Sequence, residues 1–358
     1  MDESLQKYTI PDDAKSQILH LLWKNCERKA DGNPDLNPYF ENYYRTRTQR
    51  FSREGGIYIC IRSHADALEV ATQILQDATR DTISQLLSSR NHIDEQEEPL
   101  DMRPTPDTID ATIDLCAGLL LMCEFGIPQF GFSGSNPLPW PSNLTLRQAT
   151  AEHFSPKNTK SLQPENPRIP RIFTAKNLVS IGGMKIRWTN NLVDHLLLSD
   201  DDQTVLVFHH VAFLQHHDSF KKGILPDGLA SEALRTLALL FPTAGHKSRK
   251  WLETQATPNE PIDPLLTKLG TPRAHDRRFE RFTFWHDRLV ILKQAFDESS
   301  PRGWRQWWND RRNSVQWYTF WVAIWVFVTA SVFGFVQSVE GGLQVYLSWK
   351  GLQDGGTG

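Results

Sequence analysis

Cysteine is scarce in this chain: four residues (Cys26, Cys60, Cys116 and Cys123) in 358. That is too few for a disulfide framework and suits a reducing compartment. Also missing are H-E-x-x-H, C-x-x-C, an EF-hand loop, a Walker glycine loop and the dinucleotide-binding glycine pattern. Each absence removes a class with a recognisable mechanism, and no cofactor is expected. The formal net charge of −3 gives no electrostatic reason to expect nucleic acid. The start, MDESLQKYTIPDD, is acidic and broken by Pro11, so it lacks the basic and apolar regions of a signal or transit peptide.

Charge is missing most conspicuously from 313–339, NSVQWYTFWVAIWVFVTASVFGFVQSV, which lies between Arg312 and Glu340. About 20 apolar residues at a rise of roughly 1.5 Å cross a hydrocarbon layer of about 30 Å, and Trp317 to Val336 meets that length. Before it stand Arg302, Arg305, Arg311 and Arg312 against one Asp310, and Lys350 is the only cation after it. Cations stay on the cytoplasmic side, so the long N-terminal part is expected there. Trp304, Trp307, Trp308, Trp317 and Trp349 suit the headgroup level. About nineteen residues follow Val339, which implies post-translational insertion of the tail-anchored kind, with secretory-pathway membranes favoured. The expected organisation is a globular body over 1–300, an Arg/Trp juxtamembrane segment over 301–316, a transmembrane helix over 317–339 and a tail over 340–358. The one partner this implies directly is the lipid bilayer.

Within the body, 39% hydrophobic and 23% charged residues fit a packed globule. Residues 18–29 read as a first helix ended by Asp31-Gly32-Asn33-Pro34. Tyr39, Phe40, Tyr43 and Tyr44, followed by Arg45, Arg47, Arg50 and Arg53, suggest a helix edge packed on the body. Ile57 to Ile61 is a short strand candidate. Ser63 is placed to cap one long helix running to about Ser89, with Leu68, Ala71, Leu75, Ala78, Thr82 and Leu86 on its inner face. The acidic, proline-bearing stretch 92–106 reads as a solvated loop. Thr108 to Phe125 reads as a buried helix on which Cys116 and Cys123, seven apart, share a face. Residues 126–170 carry eight prolines and read as irregular apart from a short helix at 144–154. Within them Gly131-Phe132-Ser133-Gly134-Ser135 lacks the final glycine of a nucleophile elbow.

From Ile172 the pattern sharpens. Gly182-Gly183 marks a tight turn, and Met184, Ile186 and Trp188 alternate with Lys185 and Arg187 as in a half-buried strand. A short helix is expected over 192–197, then an acidic turn at Asp200–Asp202. Val205 to Phe213 reads as a strand covered on both faces. A helix with Leu234, Leu237 and Phe241 inward stops at Pro242. After a polar linker over 243–272, Phe282, Trp285, Leu289, Leu292 and Phe296 fall at steps of three and four. That spacing suits core packing, a basic helix lying on a membrane, or pairing with another chain. The fold class expected is α+β: a mostly helical body with a small β-sheet, followed by one C-terminal transmembrane helix.

The candidates for a chemical site lie between Asp194 and Asp218: Asp194, His195, Asp200 to Asp202, His209, His210, His216, His217 and Asp218. Histidine and carboxylate together suit a transition metal or a general base. Adjacent histidines on a strand, however, point to opposite faces. No catalytic, cofactor-binding or metal-ligating residue is therefore assigned, and the imidazoles are expected to be bonded to backbone carbonyls, beside a solvated acidic turn.

The segment AKNLVSIGGMKIRWTNNLVDHLLLSDDDQTVLVFHHVAFL, followed by ILPDGLASEALRTLALLFP, resembles a family of filamentous-fungal proteins. The shared pattern is N-L-x-x-I-x-G-x-x-I-x-W-T-x-N-L-x-D-H-L, an acidic turn, an F-H-H strand and E-x-L-R-T-L-x-L-L-F-P. Members commonly end in a W-Y-T-F-W span with a V-Y near its exit, here Val345-Tyr346. The likeness covers about 170–245 and 300–350, and it brings no activity, cofactor or catalytic residue to any position. The expectation is a membrane-anchored, non-enzymatic adaptor or regulatory protein. Two alternatives stay open: a metal-assisted hydrolase using His210 or His217 with Asp194, or an auxiliary membrane protein of a fungal biosynthetic gene cluster.

Overall fold

The computed structural model describes residues 10, 12–22, 36–52, 59–61, 63–91, 105–126, 137–155, 162, 166–200, 202–219, 223–243, 246–255, 262–299 and 314–354. The chain forms two units, 1–299 and 300–358. The first is α+β, mostly helical around a three-stranded sheet. The loop 92–104, the Gly131–Ser135 stretch, the turn at 31–34 and the juxtamembrane residues 301–313 lie outside the described residues.

Helices α1 (Asp12–Leu22) and α2 (Asn37–Ser52) open the body. Helix α1 starts earlier than the apolar pattern suggested. In α2, Tyr39, Phe40 and Tyr43 are buried, and Tyr39 stacks on Phe213 with ring centroids 5.8 Å apart. Residues 59–61 form no strand: the Cys60 N–H donates to Thr112 Oγ1 at 2.9 Å, a side-chain partner in place of a ladder.

The single long helix expected after Ser63 is two. Ser63 does cap α3 (His64–Leu75), in a reciprocal box with Asp66. The chain then turns through Asp77 at φ 59° before α4 (Arg80–Asn91). The free N–H groups of Arg80 and Asp81 donate to Leu144 O at 3.2 Å and Ser142 O at 2.9 Å. Tertiary partners thus replace the intrahelical ones. Helix α5 (Pro106–Leu121) begins at the Thr105 cap and ends with Met122 in the left-handed region, so Cys123 lies beyond it. Cys116 and Cys123 are both buried but share no helix face. Arg80 pairs with Asp110 and Asp114, two α5 carboxylates four apart, under the Trp140 ring. Helix α6 (Leu146–His153) is the short helix expected in the proline-rich stretch.

Helix α7 (Ala175–Ser180) leads through Gly183, at φ 68°, into β1 (Lys185–Thr189). Next comes a 3₁₀ turn, Leu192–Asp194, where a longer helix was expected. Strand β2 (Leu198–Ser199) and the fully buried β3 (Thr204–Phe208) follow. The order is β1-β3-β2. β1 runs parallel to β3 from Lys185↔Thr204 to Thr189↔Phe208, and β2 is antiparallel to β3. Residues 190–203 supply the crossover that a parallel pair requires.

Strand β3 ends at Phe208, five residues before the expected limit, because α8 (Val211–Asp218) begins there. The buried Asp263 carboxylate accepts from Ala212 N–H and from Leu265 N–H, each at 2.9 Å. It thereby caps α8 and a 3₁₀ turn, Pro264–Lys268. Helix α9 (Leu229–Leu240) carries Leu237 inward and stops before Pro242. The stretch expected as a linker holds α10 (His246–Glu253) and that 3₁₀ turn, with Leu252, Leu266 and Asp263 buried.

Helix α11 (His286–Glu298) follows, with Leu289, Leu292 and Phe296 packed in the core, as are Phe282 and Trp285 before it. Core packing is therefore what that apolar spacing encodes. Buried Glu232 on α9 holds the entry to α11 by accepting N–H bonds from Thr283, Phe284 and Trp285 at 2.7–2.8 Å.

In the second unit, α12 (Ser314–Asp354) is one helix of 41 residues. Its stretch Trp317–Lys350 is long and apolar enough to cross a membrane, and none of its most apolar window is buried in protein. Residues 340–354, expected as a tail, continue the helix.

Candidate functional site

The parallel pairing of β1 and β3 brings their carboxyl ends side by side, and the chain leaves them as Asn190 and His209-His210. Helix α2 faces these ends. Its Pro38, Glu41, Asn42 and Arg45 fall at i, i+3, i+4 and i+7, which makes them one stripe. With Trp188, Asn190, His209 and His210 they line a cavity of about 70 Å³. The region outside the carboxyl ends of parallel strands is where α/β sheets generally place ligands.

The imidazoles in the wall are held rigidly. His209 Nδ1 accepts from Asp263 N–H at 3.3 Å, which assigns its proton to Nε2. Its ring meets Trp188 edge-on, with centroids 5.9 Å apart. His210 Nε2 lies 2.7 Å from Asn190 Oδ1, so this nitrogen donates and Nδ1 is left as an acceptor. That Nδ1 is buried and has no hydrogen-bond partner among the described residues. The two rings stack at 4.1 Å. Burial first, and then the Arg45 guanidinium, push His209 down to about 4. Burial, His209 and Arg45 hold His210 well below the usual imidazole range. At neutral pH both rings are uncharged. The cavity then offers one cation at Arg45, one carboxylate at Glu41, and imidazole and amide groups of both hydrogen-bonding senses.

The other candidates do not join this cavity. Asp194 is buried and accepts from Asn191 Nδ2 at 2.9 Å, while Asn191 Oδ1 accepts from Glu124 N–H and Val193 N–H. His195 is fully buried. Its Nδ1 accepts from Phe208 N–H at 3.2 Å, so Nε2 donates to Thr236 Oγ1 at 2.7 Å. Burial, with Arg288 nearby, lowers His195 to about 3. Arg288 donates to the carbonyls of Val193 and His195 and ties α11 to this turn.

Asp200 and Asp202 are turn residues at φ 54° and 61°, and Asp201 lies outside the described residues. His216 and His217 are consecutive on α8; the His217 ring packs on Phe213 at 4.4 Å, and Asp218 is exposed. Among the described residues no group of three or more His, Cys, Asp or Glu is placed to hold a metal ion.

One sequence expectation is overturned here. His209 and His210 do not point to opposite faces of a strand, because β3 has already ended and their rings stack. Sequence reasoning also missed Glu41, Asn42, Arg45, Trp188 and Asn190 as wall residues. The available signal was the polar stripe of α2 opposite its buried Tyr39, Phe40 and Tyr43.

Fold and site together define a mostly helical α+β body with a small polar cavity, in a chain whose C-terminal helix can span a membrane once. No family model matches the chain, and neither the curated proteins nor the solved structures contain a match to it.

Proposed function

We propose that this chain is a membrane-anchored, non-enzymatic adaptor whose α+β body is held on the cytoplasmic face of a bilayer by α12. The observation that carries the proposal is the bare apolar surface of that helix. Val326, Phe327, Phe333 and Phe335 are 63–73% exposed, and none of the helix's most apolar window is buried among the described residues. Burying such surface in lipid removes a cost of about 25 cal/mol per Å² in water. The cytoplasmic orientation rests on Arg302, Arg305, Arg311 and Arg312 before the span against Lys350 after it. The non-enzymatic reading draws support from the internal bonding of Asp194 and His195, whose polar groups hold the turn and the sheet together. The likeness to anchored filamentous-fungal proteins belongs to the same proposal.

The test is centrifugation of lysed cells expressing the full chain. The protein should pellet, resist an alkaline wash and be released by detergent. An N-terminal tag should be digested by protease added to intact vesicles, and a C-terminal tag protected. A full chain that stays in the supernatant without detergent would remove the proposal. Proximity labelling from the N-terminus then addresses the adaptor role: the labelled set should change when 317–350 is deleted, and an unchanged set would refute tethering as the function.

A further inference from the structure

We propose that the arginine patch formed where residues 166–171 meet residues 273–281 docks the body onto the anionic face of a lipid bilayer. This deepens the anchored reading above and rests on it, since the negatively charged leaflet is the cytoplasmic one.

The patch is built on a short antiparallel bridge. Ile169 N–H donates to Arg277 O at 2.7 Å and Phe279 N–H to Pro167 O at 3.1 Å, so Arg168 stands directly opposite Arg278. Bonds that flank a pair in this way mark the close type, with Cα atoms about 4.5 Å apart and both side chains on one face. Like charges so opposed are unfavourable. Arg277 beside them is largely buried, and its Nη1 donates to Ile169 O at 3.1 Å. Burial, and then the charges of Arg171 and Arg168, lower Arg277 from the usual guanidinium range. Arg273 and Arg281 extend the patch, and every one of these arginines except Arg277 is exposed.

Six arginines therefore stand against two carboxylates in these segments, in a chain whose net charge is −3. Both carboxylates are engaged. Glu280 reaches Arg278 at 3.7 Å, while Asp276 accepts from Arg273 N–H and lies 3.0 Å from His275 Nε2. Among the described residues no carboxylate pairs with Arg168, Arg171 or Arg277. The counter-charge has to come from outside, and arginine forks onto phosphate oxygens. Exposed rather than enclosed, the five outer arginines suit a sheet of headgroups better than one small anion. Phe279 and Phe282 between them are buried, so neither offers a ring on which a nucleic-acid base could stack. The candidate span of the same chain brings the bilayer to the patch at high effective concentration.

The experiment reconstitutes the full chain in nanodiscs of phosphatidylcholine alone or mixed with phosphatidylserine, and follows phenylglyoxal modification of each arginine by mass spectrometry. Arg168, Arg171 and Arg278 should react several-fold more slowly in the anionic discs, and high salt should abolish the difference. Exposed Arg187 on β1 should react equally in both. Arg168→Gln combined with Arg278→Gln removes the opposed pair, so the variant should melt no lower than the parent in detergent. Each charge removed should weaken the surface attraction by roughly fivefold, and Arg171 and Arg281 should lose their protection. Should that variant fail to fold, Arg171→Gln decides, through the protection of Arg168 and Arg278. Equal rates in the two kinds of disc, undiminished protection in the variant, or protection of Arg187 to the same degree would overturn the proposal. So would equal protection in neutral discs by inorganic phosphate or single-stranded RNA, which would reassign the patch to a soluble ligand. Failure to enter either disc would instead remove the anchor, and this docking with it.

Discussion

Replacing His195 with glutamine should flatten the dependence of stability on pH between 6.5 and 5, and the size of the change follows from the ring's surroundings. His195 is 0% exposed, with a pKa of about 3 in the fold against about 6.5 in an unfolded chain. Because the folded value is the lower, acidification feeds protons to the unfolded state. The neutral ring's contribution is complete above pH 6.5 and is lost as pH falls toward 3. At pH 5 the unfolded state holds nearly one more proton than the native state at this site. The slope is therefore about 1.4 kcal/mol per pH unit, and the loss between pH 7 and pH 5 is roughly 2 kcal/mol. Glutamine keeps a carbonyl for Phe208 N–H and an amide for Thr236 Oγ1 but does not titrate. The assay is denaturant unfolding of the full chain in detergent across that window, which lies above most carboxylate titrations. The His195→Gln curve should be shallower than the parent's by about 1.4 kcal/mol per pH unit near pH 5. Parallel curves would refute the assignment of a buried, neutral, doubly bonded ring.

His209, lowered to about 4, adds to the parent's acid sensitivity with the same sign, so His209→Gln should flatten the curve further. Glu232→Gln leaves one carbonyl oxygen where two oxygens accept three N–H groups; a loss of about 2–3 kcal/mol is expected in urea unfolding. Gly126 sits at φ +88°, where an added Cβ would lie 2.5 Å from Asp114 Oδ2. Gly126→Ala should therefore lose at least about 1–2 kcal/mol and lower the melting midpoint, with Asp114 displaced from Arg80. Val328→Arg places a charge mid-span at a cost of about 2.5–3.5 kcal/mol and should increase the fraction left unpelleted in cell fractionation.

Much of the architecture was written in local signals. Ser63 with Asp66, the φ > 0 turn at Gly183, the alternation of Lys185 to Thr189 and the stop at Pro242 each name their element in a few residues. What escaped was decided by distant partners. Nothing between Gln76 and Thr79 breaks a helix by itself; the break is sustained by carbonyls of Leu144 and Ser142, some sixty residues on. The end of β3 is likewise set by Asp263, which lies in a stretch too polar to look structural. Because that end was misplaced, the stacking of His209 on His210 and the cavity beside it were hidden. The polar stripe of α2 was visible, but no local rule says which strands it will face.

The length of α12 carries its own consequence. At roughly 1.5 Å per residue the 34 residues from Trp317 to Lys350 extend about 50 Å, well beyond a hydrocarbon layer of about 30 Å. Tilting to fit would need more than the roughly 40° that spans adopt. Two overlapping windows thus compete for the lipid, one beginning at Trp317 and one ending near Trp349, and the second would drag Glu340 toward the oily midplane. In a bilayer, the cost of burying that carboxylate would favour the window beginning at Trp317 and leave the helix beyond about residue 340 outside the hydrocarbon.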